Sequence, residues 1–199
     1  MKFIYTKGEI DFADYHLVLP SSSYYYLDRH IIDVLIRRTS ETTRAAYLID
    51  ENIAPFFGNV PQDHPVFEGH VTSAELFVCA PMKLAFLQLR SYFHCSNSYF
   101  AKILCKFIGK MKFKNITVVS CASHIFFDDV DQSIGALLLK SESKSEETIF
   151  VADDRISVRK IIFPCTDYEG YFPKLYRSGM AFEFMKRFPD CACLFGIFH

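Results

Sequence analysis

The chain has 199 residues, half of them hydrophobic and 23% charged, with a formal net charge of −1. Such a composition supplies ample apolar material for a core and excludes a disordered chain, and the near-neutral total gives no general attraction to nucleic acid. No stretch reaches the roughly 18 uninterrupted apolar residues that a membrane span needs, because the longest apolar region, Leu76 to Leu89, is broken by Pro81, Lys83 and Gln88.

The first residues, MKFIYTKGEIDF, are too charged for a secretory signal, so the expected location is the cytoplasm. Residues 1–20 mix apolar and polar residues and end in Leu19-Pro20, followed by SSSYYYLDRH. IIDVLIRR (31–38) and TRAAYLID (43–50) predict two strands, with the polar TSET as the turn between them. ENIAPFFGNVPQDHP (51–65) reads as a loop punctuated by Pro, Gly and Asn. Thr72-x-x-Glu75 fits a capping box and predicts a helix start. The run that follows is apolar nearly all round, which predicts a buried helix, with Pro81 either kinking it or opening a second segment.

Residues 99–127, 133–140 and 147–163 are rich in β-branched and aromatic side chains and predict further strands, with KSESKSEE as a solvated turn. The resulting fold class is α+β, an antiparallel sheet over one long buried helix. Residues 1–163 form the expected domain. Residues 164–199 read as a C-terminal extension with a short helix from Gly179 to Arg187. Seven cysteines in irregular spacing, in a cytoplasmic chain, are expected as reduced thiols that pack as small hydrophobes. Cys191-x-Cys193, with His199 six residues on, has some zinc-ligand character, but without a C-x-x-C pair it is read as packing, and no metal is expected.

The order Leu19-Pro20, YYYLDR (24–29), two strands, PFF (55–57), F-x-G-H (67–70) and a long apolar helix resembles the hotdog-fold β-hydroxyacyl carrier-protein dehydratases. GKMKFKN (109–115) is similar to that family's strand after the helix. The resemblance covers residues 15–163. It implies a hotdog fold, a homodimer with a site shared between chains, and a 3-hydroxyacyl thioester substrate. The acyl group would ride on the phosphopantetheine of acyl carrier protein or coenzyme A, with no cofactor of the protein's own.

The departures are specific. Serines 21–23 replace a family histidine, ten residues (58–67) separate PFF from EGH, and VTS (71–73) stands where the family has FPG. The family's helix carboxylate falls on Leu84, Leu87, Gln88, Val78 or Cys79, depending on the anchor, and none of these is an acid.

Dehydration needs a base at C2, an acid for the leaving hydroxyl and a dipole on the thioester carbonyl. The resemblance implies His70 as the base and the Gly69 N–H as the dipole. Gln88 stands in the acid's place, where an amide can orient water but cannot donate as a carboxylic acid does. Glu75 is a candidate acid alongside its capping role. Phe67 and Cys79 are expected to line an acyl site. Lys110 and Lys112, within the set Lys102, Lys106, Lys110, Lys112 and Lys114, are expected to meet a phosphate or an acidic carrier, although the alternation around them also suits a solvated face. His64 reads as a loop residue, and Asp28-Arg29 as a structural brace. Three other readings stay open: an inactive acyl-binding scaffold, an A-factor-type hotdog protein, and a thioesterase using Glu68 or Glu75.

Overall fold

The computed structural model describes residues 1–23, 26–59, 70–123, 136–141, 158–163, 179–188 and 191–198. In chain order the strands are β1 (Lys2–Tyr5), β2 (His16–Pro20), β3 (Thr42–Ile49), β4 (Phe57–Asn59), β5 (His70–Thr72), β6 (Ala74–Cys79), β7 (Leu84–Leu89), β8 (Asn115–Ser123), β9 (Ala136–Ser141), β10 (Val158–Phe163) and β11 (Ala192–Phe198). The helices are α1 (Leu27–Arg38), α2 (Asn97–Ile108) and α3 (Ala181–Arg187). Nine strands form one sheet in the order β1-β3-β6-β7-β2-β8-β11-β9-β10, and β4 pairs with β5 in a separate ribbon.

The sheet is mixed. β2 runs parallel to both β7 and β8, β8 is parallel to β11, and β9 is parallel to β10. The remaining neighbours are antiparallel. Helices cover both faces. This α/β arrangement overturns the expected hotdog fold, in which an antiparallel sheet wraps one long helix.

The expected long helix after Thr72 does not exist. Residues 74–89 are the hairpin β6–β7, in register from Ala74 opposite Leu89 to Cys79 opposite Leu84. Every residue of β6 is buried. A strand covered on both faces is apolar at successive positions and carries the same composition as a buried helix. Pro81 lies in the turn, where a residue without an N–H removes no ladder bond. Lys83 closes that turn with φ of 52° and donates its N–H to Ala80 O at 3.2 Å. The capping box is therefore not formed.

IIDVLIRR is helical rather than extended. Ile32 and Ile36, one turn apart, meet Phe77, Phe86 and Val119 of the sheet, and Arg37 and Arg38 sit in the last turn, where the helix dipole favours cations. TRAAYLI forms β3 as expected. The strand region expected over 99–127 instead opens in a helix, since residues 97–108 are α2. Ser96 caps it by accepting from the Tyr99 N–H at 3.3 Å, and Phe100, Ala101, Leu104, Cys105 and Ile108 make its buried stripe.

Two apolar layers result from the strand alternation. On one face Leu17, Leu19, Leu76, Leu87 and Val118 pack with Phe100 and Leu104 of α2 and Phe184 and Met185 of α3. On the other face Phe77, Phe86 and Val119 pack with α1. β11 lies inside the sheet between β8 and β9, so the boundary expected at 163/164 falls between two strands of one sheet. The short helix expected near Gly179–Arg187 is α3.

Gly179 is held against the β2 end of the sheet with φ of 66°, and a Cβ there would lie 2.1 Å from Ser21 O. Gly179→Ala is expected to destabilise the fold by about 3 kcal/mol, through the overlap with backbone and the positive φ together. Urea denaturation followed by circular dichroism measures it; a loss under 1 kcal/mol would contradict this packing.

Candidate functional site

β2 sits at the centre of the sheet, and its C-terminal end runs straight into Ser21, Ser22 and Ser23 before α1. The chain leaves β2 toward β3 on one side, while β8 flanks it on the other. In an open α/β sheet, this switch point beyond the strand ends is where a crevice forms. Here the turn is knitted shut. Asp28, fully buried, accepts from the Ser23 N–H at 2.9 Å and the Arg29 N–H at 3.0 Å. Ser21 Oγ lies 3.2 Å from Asp28 Oδ2 and 2.9 Å from Ser120 Oγ, and Ser23 Oγ accepts from the Cys121 N–H at 3.0 Å. Met180 then donates its N–H to Ser21 O at 2.6 Å. The chain's own Gly179-Met180 backbone occupies the ground beside the serine turn.

A second polar group lies on the α1 side of the sheet. Glu75 of β6 is completely buried. Arg90, just past β7, donates to Glu75 Oε2 and also reaches Asp33 Oδ1 of α1 at 2.9 Å. Arg44 of β3 places its Nε 3.1 Å from Glu75 Oε1, an ion-pair distance at an angle too poor for a hydrogen bond. Its Nη2 donates to His70 O at 2.5 Å, and its Nη1 to Tyr47 Oη at 3.0 Å. Gln88, opposite Glu75 in the ladder, donates to Arg29 O at 2.7 Å, and Arg29 donates to Arg90 O at 2.8 Å. Burial raises the Glu75 carboxyl above the usual carboxylate range, while Arg90 and then Arg44 pull it back down.

The sequence-derived site residues therefore separate. His70 is exposed in β5, its Nδ1 3.2 Å from Asn59 Oδ1 and its ring 4.4 Å from that of Phe57. Glu75 and Gln88 are neighbours across a strand pair, occupied in holding Arg44, Arg90 and the Arg29 backbone. Cys79 is buried at the far end of β6, donating to Ser40 O at 3.3 Å. Lys110 and Lys112 are exposed in the connection after α2, and Lys112 has φ of 54°. Gly69 and Phe67, with Glu68 and His64, lie outside the described residues. No described arrangement gathers these groups around one reacting position. Sequence reading missed Arg44 and Arg90. The usable signal was Glu75 itself, since an acid inside an apolar run must find a cation.

An exposed aromatic group borders this network. Phe57 is 66% exposed, Tyr92 65% and Phe56 47%. Phe56 N–H donates to Ser73 Oγ at 2.6 Å, Ser73 Oγ donates to Ala54 O at 2.8 Å, and Ala54 N–H donates to Tyr92 O at 3.0 Å. These bonds hold the backbones of Phe56 and Tyr92 at the open end of the β6–β7 hairpin, and Phe57 follows in β4, paired with Thr72. Exposed aromatic side chains are common material of protein-binding surfaces.

No protein-family model matches the chain, and no curated protein matches it. Solved structures do. It is similar to Pyrococcus furiosus PbaA, described as an archaeal homolog of proteasome-assembly chaperone, with a TM-score of 0.58 at 8% identity over 99% of this chain and 76% of that one. It is also similar to a protein of unknown function from Thermoplasma acidophilum, with a TM-score of 0.54 at 11% identity over 94% of this chain and 68% of that one. These likenesses concern the fold, and they replace the hotdog dehydratase resemblance. With it go the dehydratase, thioesterase and fatty-acid readings, and the acyl-thioester and carrier-protein partners. No described helix is long and apolar enough to cross a membrane.

Two outcomes follow. A raised carboxyl pKa in the folded state means that the Glu75 contribution is fullest at acid pH and is lost as pH rises through its folded value. Arg90→Met removes one compensating cation and raises that value further. The variant is expected to lose about 3 kcal/mol at pH 8 and to recover part of it at pH 5, measured by denaturant titration at both pH values; a loss independent of pH would count against the network. Separately, burial pushes the Cys105 and Cys121 thiols up to about 12. Neither should react with Ellman's reagent at pH 8 until the protein is unfolded, as peptide mapping of labelled native protein would show.

Proposed function

We propose that this protein is a non-catalytic assembly factor that docks on other polypeptides, of the kind represented by proteasome-assembly chaperones. The observation that carries this reading is the fold likeness to PbaA over 99% of the chain. Two features of the chain support it. The ground at the β2 switch point is taken up by Gly179-Met180 rather than left open for a small ligand. Phe56, Phe57 and Tyr92 expose their rings, and the Arg44 bond to His70 O ties the ribbon that carries Phe57 to the Glu75 network, which reduces the ordering cost of docking. The partner is accordingly a proteasome subunit or a partly assembled proteasome ring, with the aromatic group as the contact face.

The test mixes the purified chain with proteasome subunits of its own source organism. Size-exclusion chromatography with light scattering reads complex formation, and native electrophoresis reads the rate of assembly. A stable complex or accelerated assembly is expected. Phe57→Asp combined with Tyr92→Asp should weaken the complex at least about tenfold while leaving the circular dichroism spectrum unchanged. No complex and no change in assembly rate would overturn the reading.

A further inference from the structure

Charge is unevenly distributed along this near-neutral chain. Between Glu75 and Asp128 there is no acidic residue, while seven lysines and arginines occur. Five of these are Lys102, Lys106, Lys110, Lys112 and Lys114, on α2 and the connection that follows. α2 covers the sheet face opposite α1, and α3 packs beside it.

A groove of about 480 Å³ runs between α2 and α3, lined by Lys102, Ile103, Cys105, Lys106, Arg187 and Phe188. Ile103 and Phe188 supply its apolar lining. Its rim is cationic, with Lys102 and Lys106 exposed and one helical turn apart, and Arg187 facing them from α3. Glu183 is the acid nearest this rim on α3, and its carboxylate is engaged: Oε1 accepts from Ser98 Oγ at 3.0 Å, and Oε2 lies 3.7 Å from Arg187 Nε. The Arg187 side chain nevertheless stays 43% exposed. Three cations around a short apolar lining match a segment that carries several carboxylates beside one apolar side chain.

We propose that the α2–α3 groove is a docking site for an acidic peptide segment of a partner protein, with one apolar residue seated on Ile103 and Phe188 and carboxylates meeting Lys102, Lys106 and Arg187. A protein segment suits it better than a nucleic acid. The basic stretch is local, and the rest of the chain carries the excess of acid that brings the total to −1, so a long polyanion crossing the surface would leave the cationic rim for acidic ground. The site lies on the sheet face away from α1 and does not depend on the assembly-factor reading, which uses the aromatic group at the β6–β7 end.

The test is fluorescence anisotropy with a fluorescein-labelled octapeptide of glutamates around one central phenylalanine, on the full chain. Two control peptides replace the phenylalanine with serine or the glutamates with lysines, and oligo-dT of equal charge is the third probe. Binding of the first peptide is expected to weaken at least about tenfold in the double variant Lys102→Glu, Lys106→Glu, to weaken with rising salt, and to exceed that of the serine peptide. Both lysines are exposed, and an unchanged melting curve shows that the variant is folded. Equal binding by the double variant, equal binding of the serine peptide, or tighter binding of oligo-dT would each overturn the proposal. The Phe57→Asp, Tyr92→Asp variant should bind the peptide as the parent does, which separates this site from the aromatic surface.

Discussion

The Glu75 carboxylate, taken wholly out of water, constrains much of this molecule. A buried carboxylate is tolerated only with cations and hydrogen bonds around it. Arg44 brings β3 to it, Arg90 brings the end of β7, and Arg90 continues to Asp33 on α1. Through the His70 carbonyl, Arg44 also ties down the β4–β5 ribbon. One acid thus links β3, β6, the end of β7 and α1, and through Arg44 the β4–β5 ribbon. A two-stranded ribbon alone is marginal in water.

The surfaces follow from that frame. On the α1 side, the polar layer around Glu75, Gln88 and Arg29 gives way to the apolar contacts of Ile32 and Ile36 with Phe77 and Phe86. Beyond the polar layer the hydrogen-bonded segment Ala54–Phe56, Ser73 and Tyr92 presents its rings to solvent. On the opposite face, α2 and α3 bury phenylalanines and leucines and turn their lysines and arginine outward. The serine turn after β2 is closed by Asp28 beneath and Gly179-Met180 alongside. At that strand end the chain's own Gly179-Met180 backbone lies against Ser21 and Ser22.

Local signals in the sequence were reliable where a single physical rule governed them. TRAAYLID (43–50) reads as a strand, and Thr42–Ile49 is one. The segment before Arg187 is a short amphipathic helix, and it packs as one. Pro81 marked a break, correctly as a break, although the break is a hairpin turn and not a kink. The hotdog reading failed at the adjoining run, because GH followed by the largely apolar Leu76–Leu89 reads the same whether those residues coil or pair. His70 was given a catalytic role on that motif. In the fold it is an exposed ribbon residue, while Glu75 and Gln88, nominated for chemistry, serve to hold the arginines and the backbone of α1.

By itself the sequence determined that the chain has ample apolar material for a core, that acids are absent between Glu75 and Asp128, and that Pro81 breaks the apolar run. Those properties depend on composition and nearest neighbours. Whether residues 74–89 form a helix or a hairpin, which cations answer Glu75, and that residues 192–198 insert between β8 and β9 were decided only by the tertiary structure. Each depends on what lies across the sheet or above its face. Arg44 is 31 residues from Glu75 along the chain and about 3 Å away in space, and no local periodicity encodes such a contact.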